Sequence, residues 1–435
     1  MTSASQTKSI QAQRSLTAAQ WKMIFLASLG GSLEFYDFII YGIFAPYIAS
    51  QFFPSSDANI SLILTFSVFA AGFLIRPLGG VVLSHFGDRY GRRNVFVASV
   101  LVISLATMAI GVLPTYATFG VGAPLLLVAL RLVQGFCLGG ELPGATTYAL
   151  EAAPKRGGLA CAVIIVAVNI GIILGTLVGL GVHHFLSPSQ ATAFGWRIPF
   201  LLGGLLGFVI VRIQRALEET PEFKQMKGNV TRIPLVELLR DHGREVVAGT
   251  LFTAAVFGFN GILYSHMPAY LVRQVGFTPE QSSLAQNACV IVQTVLVVGI
   301  GLVCDRYSRH RLLQVSALLL ILGAYPFYRA LADHSGNFVV LFALAGVVTS
   351  GQVAVFGSLL AELFPTRVRF SGVALTYSLG ATIFNGFGPL IATWLVRETD
   401  SNLSPAFFII ACAALSLAVS LLAGKGYRAS AAPAG

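Results

Sequence analysis

The sequence predicts an all-α membrane protein with twelve spanning helices arranged as two related six-helix halves. Three observations predict it. The 435 residues are 55% hydrophobic and 11% charged, with a mean hydropathy of +0.78, whereas a soluble domain carries about 25% charged residues. The apolar residues come in long runs. Only helical bundles and closed barrels satisfy their backbone groups in lipid, and barrels show weak alternation instead of long runs. Finally, two polar landmarks recur about half a chain apart.

The first 20 residues are polar and contain no short apolar core, so no cleavable signal peptide is expected. Twelve apolar segments follow, at about 20–50, 58–86, 94–113, 122–151, 158–186, 196–217, 245–273, 280–304, 312–331, 338–363, 371–397 and 405–424. Each has the roughly 20 residues needed to cross the hydrocarbon layer. Of the 28 lysines and arginines, 22 fall on alternate connections and the two ends of the chain. By the positive-inside rule both termini are cytoplasmic in a multi-pass protein of the cytoplasmic (inner) membrane. The basic net charge of +10 is therefore a topology signal, and no nucleic-acid partner is expected. The longest polar interruption, after the sixth segment, reads as a cytoplasmic linker with a short surface helix near Pro234–Asp241. The expected domains are residues 1–217, a linker 218–243, and residues 244–435.

The halves echo each other. Asp88-Arg89-Tyr90 follows segment two and Asp305-Arg306-Tyr307 follows segment eight, 217 residues later. Glu151 with Pro154 and Arg156 follows segment four, and Glu362 with Pro365 and Arg367 follows segment ten, 211 residues later. Duplication of this kind marks transporters.

Other classes find little support. The five cysteines lie in or beside apolar runs without a C-x-x-C pair, so neither a disulfide framework nor a metal site is expected. No G-x-x-x-x-G-K-[ST] loop, H-E-x-x-H, or G-x-S-x-G with triad partners occurs. A nucleotide-driven pump, an enzyme and a bound cofactor are all unexpected.

The chemistry is carried by a few charges inside apolar runs. Glu34 and Asp37 lie three residues apart on segment one, hence on one helix face. Intramembrane acids are expensive and functional by default, so they are candidate proton-coupling groups, with a polar helix lock as the alternative. Arg131 sits near the middle of segment four. It cannot shed its proton, so it needs an anion: Asp37, Glu34 or a substrate carboxylate. Competition between these would couple proton and substrate. Glu141 lies ten residues beyond Arg131 beside Gly139, Gly140, Pro143 and Gly144, as a further proton site or a partner for Arg76. Arg76 precedes Pro77, where a kink is expected, and can bind substrate or balance an acid. Tyr41 and Gln134, on the same two segments, join the substrate-binding candidates.

The second half offers Asn260, Tyr264 and His266 on segment seven, Gln293 on eight, and Tyr377 and Asn385 on eleven. Such groups orient ligands or join helices. Asp88, Arg89, Arg92 and Arg93, with Asp305, Arg306 and Arg309, are candidate gating charges: pairs there can latch one side shut in one state and release it in the other. Arg397 lies near the outer end of segment eleven, where it can steer anions. Gly171, Gly175 and Gly179 predict close helix packing on segment five.

These residues resemble the major facilitator superfamily, whose loop between helices two and three reads G-x-x-x-D-R-x-G-R-R. Here Asp88, Arg89, Gly91, Arg92 and Arg93 match and Ser84 replaces the first glycine; the second copy has Gly301, Asp305, Arg306 and Arg309, with Ser308 replacing the later glycine. Within it the chain is similar to the metabolite:proton symporter family, through Glu34-Phe35-Tyr36-Asp37, Arg76 to Gly80, Arg131 to Gly135 with Glu141, Gly195 to Pro199 and Glu219 to Phe223. The resemblance implies the major facilitator fold and proton-driven symport of one small polar metabolite. A di- or tricarboxylate such as citrate is expected, with a zwitterionic osmolyte of the proline or betaine type as the alternative, and a uniporter or sensor behind that. It implies an acid–arginine coupling pair, Asp37 with Arg131, in a lipid-embedded monomer. Segment five has no Gly-Pro motif of the antiporter type, which favours symport.

Overall fold

The structure, a computed structural model, describes residues 17–90, 92–152, 157–217, 235–303, 308–364 and 369–426. Among these residues it is helical throughout, with no strand. Eleven helices are long and apolar enough to span a bilayer, and a bent pair makes the twelfth. They are α1 (Gln20–Phe52), α2 (Ala58–Leu83), α3 (Arg93–Val112), α4 (Gly122–Thr146), α5 (Leu159–Phe185) and α6 (Arg197–Gln214). The bent pair is α7 (Gly243–Phe252 and Ala254–Val275). Then come α8 (Pro279–Gly301), α9 (Arg309–Ala332), α10 (Phe338–Glu362), α11 (Ser371–Thr399) and α12 (Ser404–Leu422). The connection before α7 carries a short helix, Leu235–Asp241, where a surface helix was expected.

Polar side chains satisfy the orphan N–H groups at several helix starts. Thr17 and Gln20 form a capping box at the start of α1. Asp57 accepts from the Asn59 N–H at 2.8 Å before α2, and Asn337 from the Val339 N–H at 2.9 Å before α10. Gly276, at φ +82°, closes α7 in the left-handed region that glycine enters without strain.

Glycine sets the closest helix contacts. A Cβ on Gly79 or on Gly135 would land on a main-chain oxygen, of Phe136 and of Gly72 respectively, so α2 and α4 touch backbone to backbone. The predicted packing of α5 is found: Gly171, Gly175 and Gly179 lie against Ser32, Ile39 and Ile43 of α1.

Several spans are broken where the sequence placed its charged or polar residues. The helix of α2 stops at Leu74 and restarts at Arg76. That of α4 stops at Leu138 and restarts at Glu141. α7 bends by 42° at Thr253 and contains wide, π-type turns at Gly261–His266 and Leu271–Val275, and α11 has one at Ala381–Gly386. Wide turns of this kind favour functional positions, because they leave helix carbonyls and side chains out of regular register.

The first and last six helices meet across a central seam. Toward the end of α1 that holds Phe52, the Gly42 turn lies against Ser265 of α7, Phe66 packs on His266 with ring centroids 6.2 Å apart, and Arg397 approaches Asp57 at 3.8 Å. Midway, Asn169 donates to Thr294 at 2.8 Å, and the Thr382 hydroxyl donates to the Phe73 carbonyl at 2.7 Å. Toward the chain-end face, the Ser378 hydroxyl reaches the Gly139 carbonyl at 3.4 Å. The described residues thus close the seam on both sides of the centre.

Candidate functional site

The centre of the first half holds two buried ion pairs side by side. Arg76 donates to Glu34 at 2.6 Å, with the two side chains 2% and 1% exposed. Its guanidinium also reaches the Leu138 carbonyl at 3.4 Å and lies 4.9 Å from the Phe73 ring centroid. One helical turn along α1, Arg131 pairs with Asp37. Thr107 of α3 and Gln134 of α4 each donate to the other Asp37 oxygen at 3.2 Å, and Gln134 also donates to Thr107 at 2.7 Å. The Arg131 guanidinium stacks 4.0 Å over the Tyr41 ring, whose hydroxyl donates to the Thr65 carbonyl at 2.8 Å.

Sequence reasoning assigned one cation, Arg131, to both Glu34 and Asp37, and offered Arg76 to Glu141. The geometry corrects this. Arg76, which restarts the helix of α2, meets Glu34, so each acid of the pair has its own arginine and α1 is tied separately to α2 and α4. Glu141 is left over. It is buried, and among the described residues neither carboxylate oxygen has a hydrogen-bond partner. Its head occupies the space in front of Gly30, where a Cβ would overlap an oxygen. The three acids and two arginines leave the cluster one negative charge in excess when every group is ionised, and a proton on Glu141 makes it neutral. That balance matters because an uncompensated charge in a low-dielectric interior is costly.

A cavity lies beside this cluster, between the two groups of six helices. Phe35, Leu142 and Thr146, with Ile164, Val168 and Asn169, line it from one side; Phe257, Asn260, Tyr264, Gln293, Phe356 and Tyr377 line it from the other. Its free volume is about 40 Å³, room for a few waters, and no Asp, Glu, Lys, Arg or His is among the lining residues. Tyr264 donates to Gln293 at 3.2 Å and Gln293 to Thr349 at 2.9 Å.

Of the expected binding residues, Asn260, Tyr264, Gln293 and Tyr377 therefore share one cavity. Arg131, Arg76, Tyr41 and Gln134 are not among its lining residues; they form the paired network behind Phe35. His266 is also elsewhere: it packs between Phe66 and Tyr270, since two residues beyond Tyr264 a helix presents its opposite face. Asn385 lies where α11 crosses α7, and a Cβ on Gly261 would sit 2.6 Å from its carbonyl oxygen. Sequence reasoning missed Thr107, Asn169, Phe257 and Phe356. A threonine or phenylalanine in an apolar helix carries no local signal of function, so only the packing exposes those three, whereas Asn169, an amide inside an apolar run, carries the same signal as Asn260.

Among the gating candidates, Asp88, Arg89, Arg92, Asp305 and Arg306 lie outside the residues whose side chains are described. Arg93 donates to the Arg215 carbonyl at the end of α6, and Arg309 donates to Glu362 at 2.8 Å. Arg397, expected to steer anions, faces Asp57 across the seam.

Two helical groups closing on a buried centre of paired charges define a membrane transporter. The chain belongs to the Major Facilitator Superfamily, whose profile it matches over residues 27–324 and 246–434. It is similar to the proline/betaine transporter of Salmonella typhimurium, at 30% identity over 91% of this chain and 82% of that one. It is equally similar to the glycine betaine/proline/ectoine/pipecolic acid transporter OusA of Dickeya dadantii, at 30% identity over 92% of this chain and 82% of that protein. Among solved structures, a D-xylose-proton symporter superposes with a TM-score of 0.71 over 92% of this chain and 96% of that one, at 17% identity, which establishes the shared fold. These relatives fit the metabolite:proton symporter branch. Their names carry zwitterionic osmolytes, so the citrate-type substrate expected from the sequence lacks support among them.

Proposed function

We propose that the chain is a proton-coupled symporter that takes up a small zwitterionic metabolite of the proline or betaine type by alternating access. One observation carries the reading: both mid-membrane arginines are already neutralised by protein carboxylates, and the cavity wall has no free charge. A di- or tricarboxylate would bring uncompensated negative charge into that site, whereas a zwitterion brings none. The amides and phenols of Asn260, Tyr264, Gln293 and Tyr377 suit a dipolar ligand. The similarity to proline and betaine carriers supports the same choice.

In this reading Asp37, Glu34 and Glu141 move the proton. Protonating Asp37 loosens the Arg131 pair that ties α1 to α4, and Glu141, with no hydrogen-bond partner among the described residues, takes the proton that keeps the cluster neutral. The charges at Asp88, Arg89, Arg92 and Arg93, and at Asp305, Arg306 and Arg309, latch the cytoplasmic side. The protein lies in the cytoplasmic membrane with both termini inside, in agreement with the lysine and arginine distribution, and works as a monomer.

The test is uptake into proteoliposomes with an imposed pH gradient, acid outside, using labelled glycine betaine, proline and citrate in parallel. Gradient-dependent accumulation of a zwitterion, with citrate left behind, is expected. Accumulation of citrate alone would overturn the reading.

A further inference from the structure

The cavity wall has an unusual composition for a site that would hold an amino acid by its charged ends. Five of its lining residues, Phe35, Phe257, Tyr264, Phe356 and Tyr377, are aromatic, set among aliphatic side chains. Phe257, Phe356 and Tyr377 form a mutually packed trio, with centroids 4.8 Å apart for Phe257–Tyr377, 6.0 Å for Phe257–Phe356 and 6.2 Å for Phe356–Tyr377. Two of these contacts are edge-to-face, at 84° and 75°. In such contacts the positive edge of one ring rests on the negative face of another. Phe35 adds a ring from α1.

Polarised methyl groups around an ammonium nitrogen present the same positive edge, with a full charge behind it. They can replace the ring edges on the same π faces, where a cation within about 6 Å of a centroid is attracted. The site has no carboxylate among its lining residues to form a salt bridge with a protonated amine. A primary ammonium has three N–H donors to satisfy from neutral side chains alone, and each N-methyl group removes one of those demands. The other end of the ligand has a partner too. Asn260 is 9% exposed and lines the same cavity, and among the described residues its amide oxygen has no hydrogen-bond partner. With the amide turned over, the same position offers N–H to a carboxylate.

We propose that, once the seam opens and the ring trio parts to enlarge the cavity beyond its present volume of about 40 Å³, Phe257, Phe356, Tyr377 and Phe35 form an aromatic seat for an N-methylated ammonium, and that Asn260 takes the carboxylate of the same molecule. This rests on the zwitterion reading above and narrows it: the preferred substrates are tertiary and quaternary ammonium zwitterions. The seat selects by charge and methylation, and the paired arginines behind Phe35 stay available for coupling.

The experiment is inhibition of gradient-driven glycine betaine uptake in proteoliposomes of the full chain. The inhibitors are glycine, N-methylglycine, N,N-dimethylglycine, unlabelled betaine, and 3,3-dimethylbutanoate, which has betaine's shape without its positive nitrogen. Inhibition is expected to strengthen by about tenfold or more from glycine to betaine, and 3,3-dimethylbutanoate should be about tenfold weaker than betaine. Phe257→Leu should collapse the gap between betaine and its uncharged-head analogue, while Tyr377→Phe should keep it, since the ring face survives. A flat methylation series, or an equal gap in wild type and Phe257→Leu, overturns the aromatic seat and leaves zwitterion symport standing. If Phe257→Leu does not fold, the wild-type series alone decides. Uptake of citrate with no zwitterion uptake overturns the functional reading and the seat together.

Discussion

Asp37→Asn separates proton coupling from substrate movement. In the wild-type arrangement the Asp37 carboxylate accepts from Arg131 on one oxygen and from Thr107 and Gln134 on the other, each of the latter at 3.2 Å. Asparagine keeps an oxygen for Thr107 and Gln134 but turns an NH₂ toward the guanidinium. Removing one partner of a buried pair costs about 3–5 kcal/mol, because the remaining charge is uncompensated. Arg131 retains the Tyr41 ring face at 4.0 Å, so the guanidinium is not left wholly without a partner. The variant should therefore fold with a loss of a few kcal/mol, and Asp37→Asn combined with Arg131→Gln should recover much of it. One pH unit supplies about 1.36 kcal/mol per proton, or tenfold accumulation for one proton per neutral substrate. In vesicles carrying that gradient, wild type should approach tenfold and Asp37→Asn should stay near unity. Exchange of labelled for unlabelled betaine without a gradient should persist in Asp37→Asn, because the neutral side chain mimics the protonated acid. Both rates are read in the same vesicles, normalised to protein that remains monodisperse in detergent. Accumulation by Asp37→Asn at the wild-type ratio would refute the assignment and move the proton to Glu34 or Glu141.

Three further outcomes follow from close contacts. A double-mutant cycle of Glu34→Gln with Arg76→Gln, followed by denaturation in detergent, should show each single change costing about 3–5 kcal/mol and the pair costing less than the sum; strict additivity would mean the pair is not coupled. Gly30→Ala places a methyl on the Glu141 carboxylate and should cost about 1–3 kcal/mol as overpacking; Glu141→Ala in the same background should restore the melting temperature, and failure to do so would contradict the contact. Gly42→Val sets its Cβ 2.8 Å from the Ser265 backbone, where α1 meets α7, so the seam cannot close on that side. Substrate exchange should fall at least tenfold with equilibrium binding retained, and normal exchange would show that this contact is not needed for turnover.

The class of protein and its duplication were legible from composition and spacing, because the bilayer imposes length and apolarity on each span independently of its neighbours. The same holds for which residues carry charge into the membrane. Glu34, Asp37, Arg76, Arg131 and Glu141 stand out on cost alone, and the helical spacing of Glu34 and Asp37 already placed them on one face. Pairing was not legible. Whether Arg76 meets Glu34 or Glu141 depends on the break at Ile75 and on how closely Gly79 and Gly135 let α2 and α4 approach, and neither follows from local propensity. The spacing of two already puts Tyr264 and His266 on opposite faces of α7, but only the rotation of α7 in the bundle decides that the Tyr264 face is the one that lines the cavity. The aromatic wall had no sequence signal, because Phe257 and Phe356 are 99 residues apart in runs where phenylalanine is ordinary. The sequence by itself determined the spans and the cost of each buried charge, which are properties of single helices in lipid. Only the tertiary structure decided which charge neutralises which and which rings share a cavity, because those are contacts between helices, and a contact depends on rotation and approach that no single segment encodes.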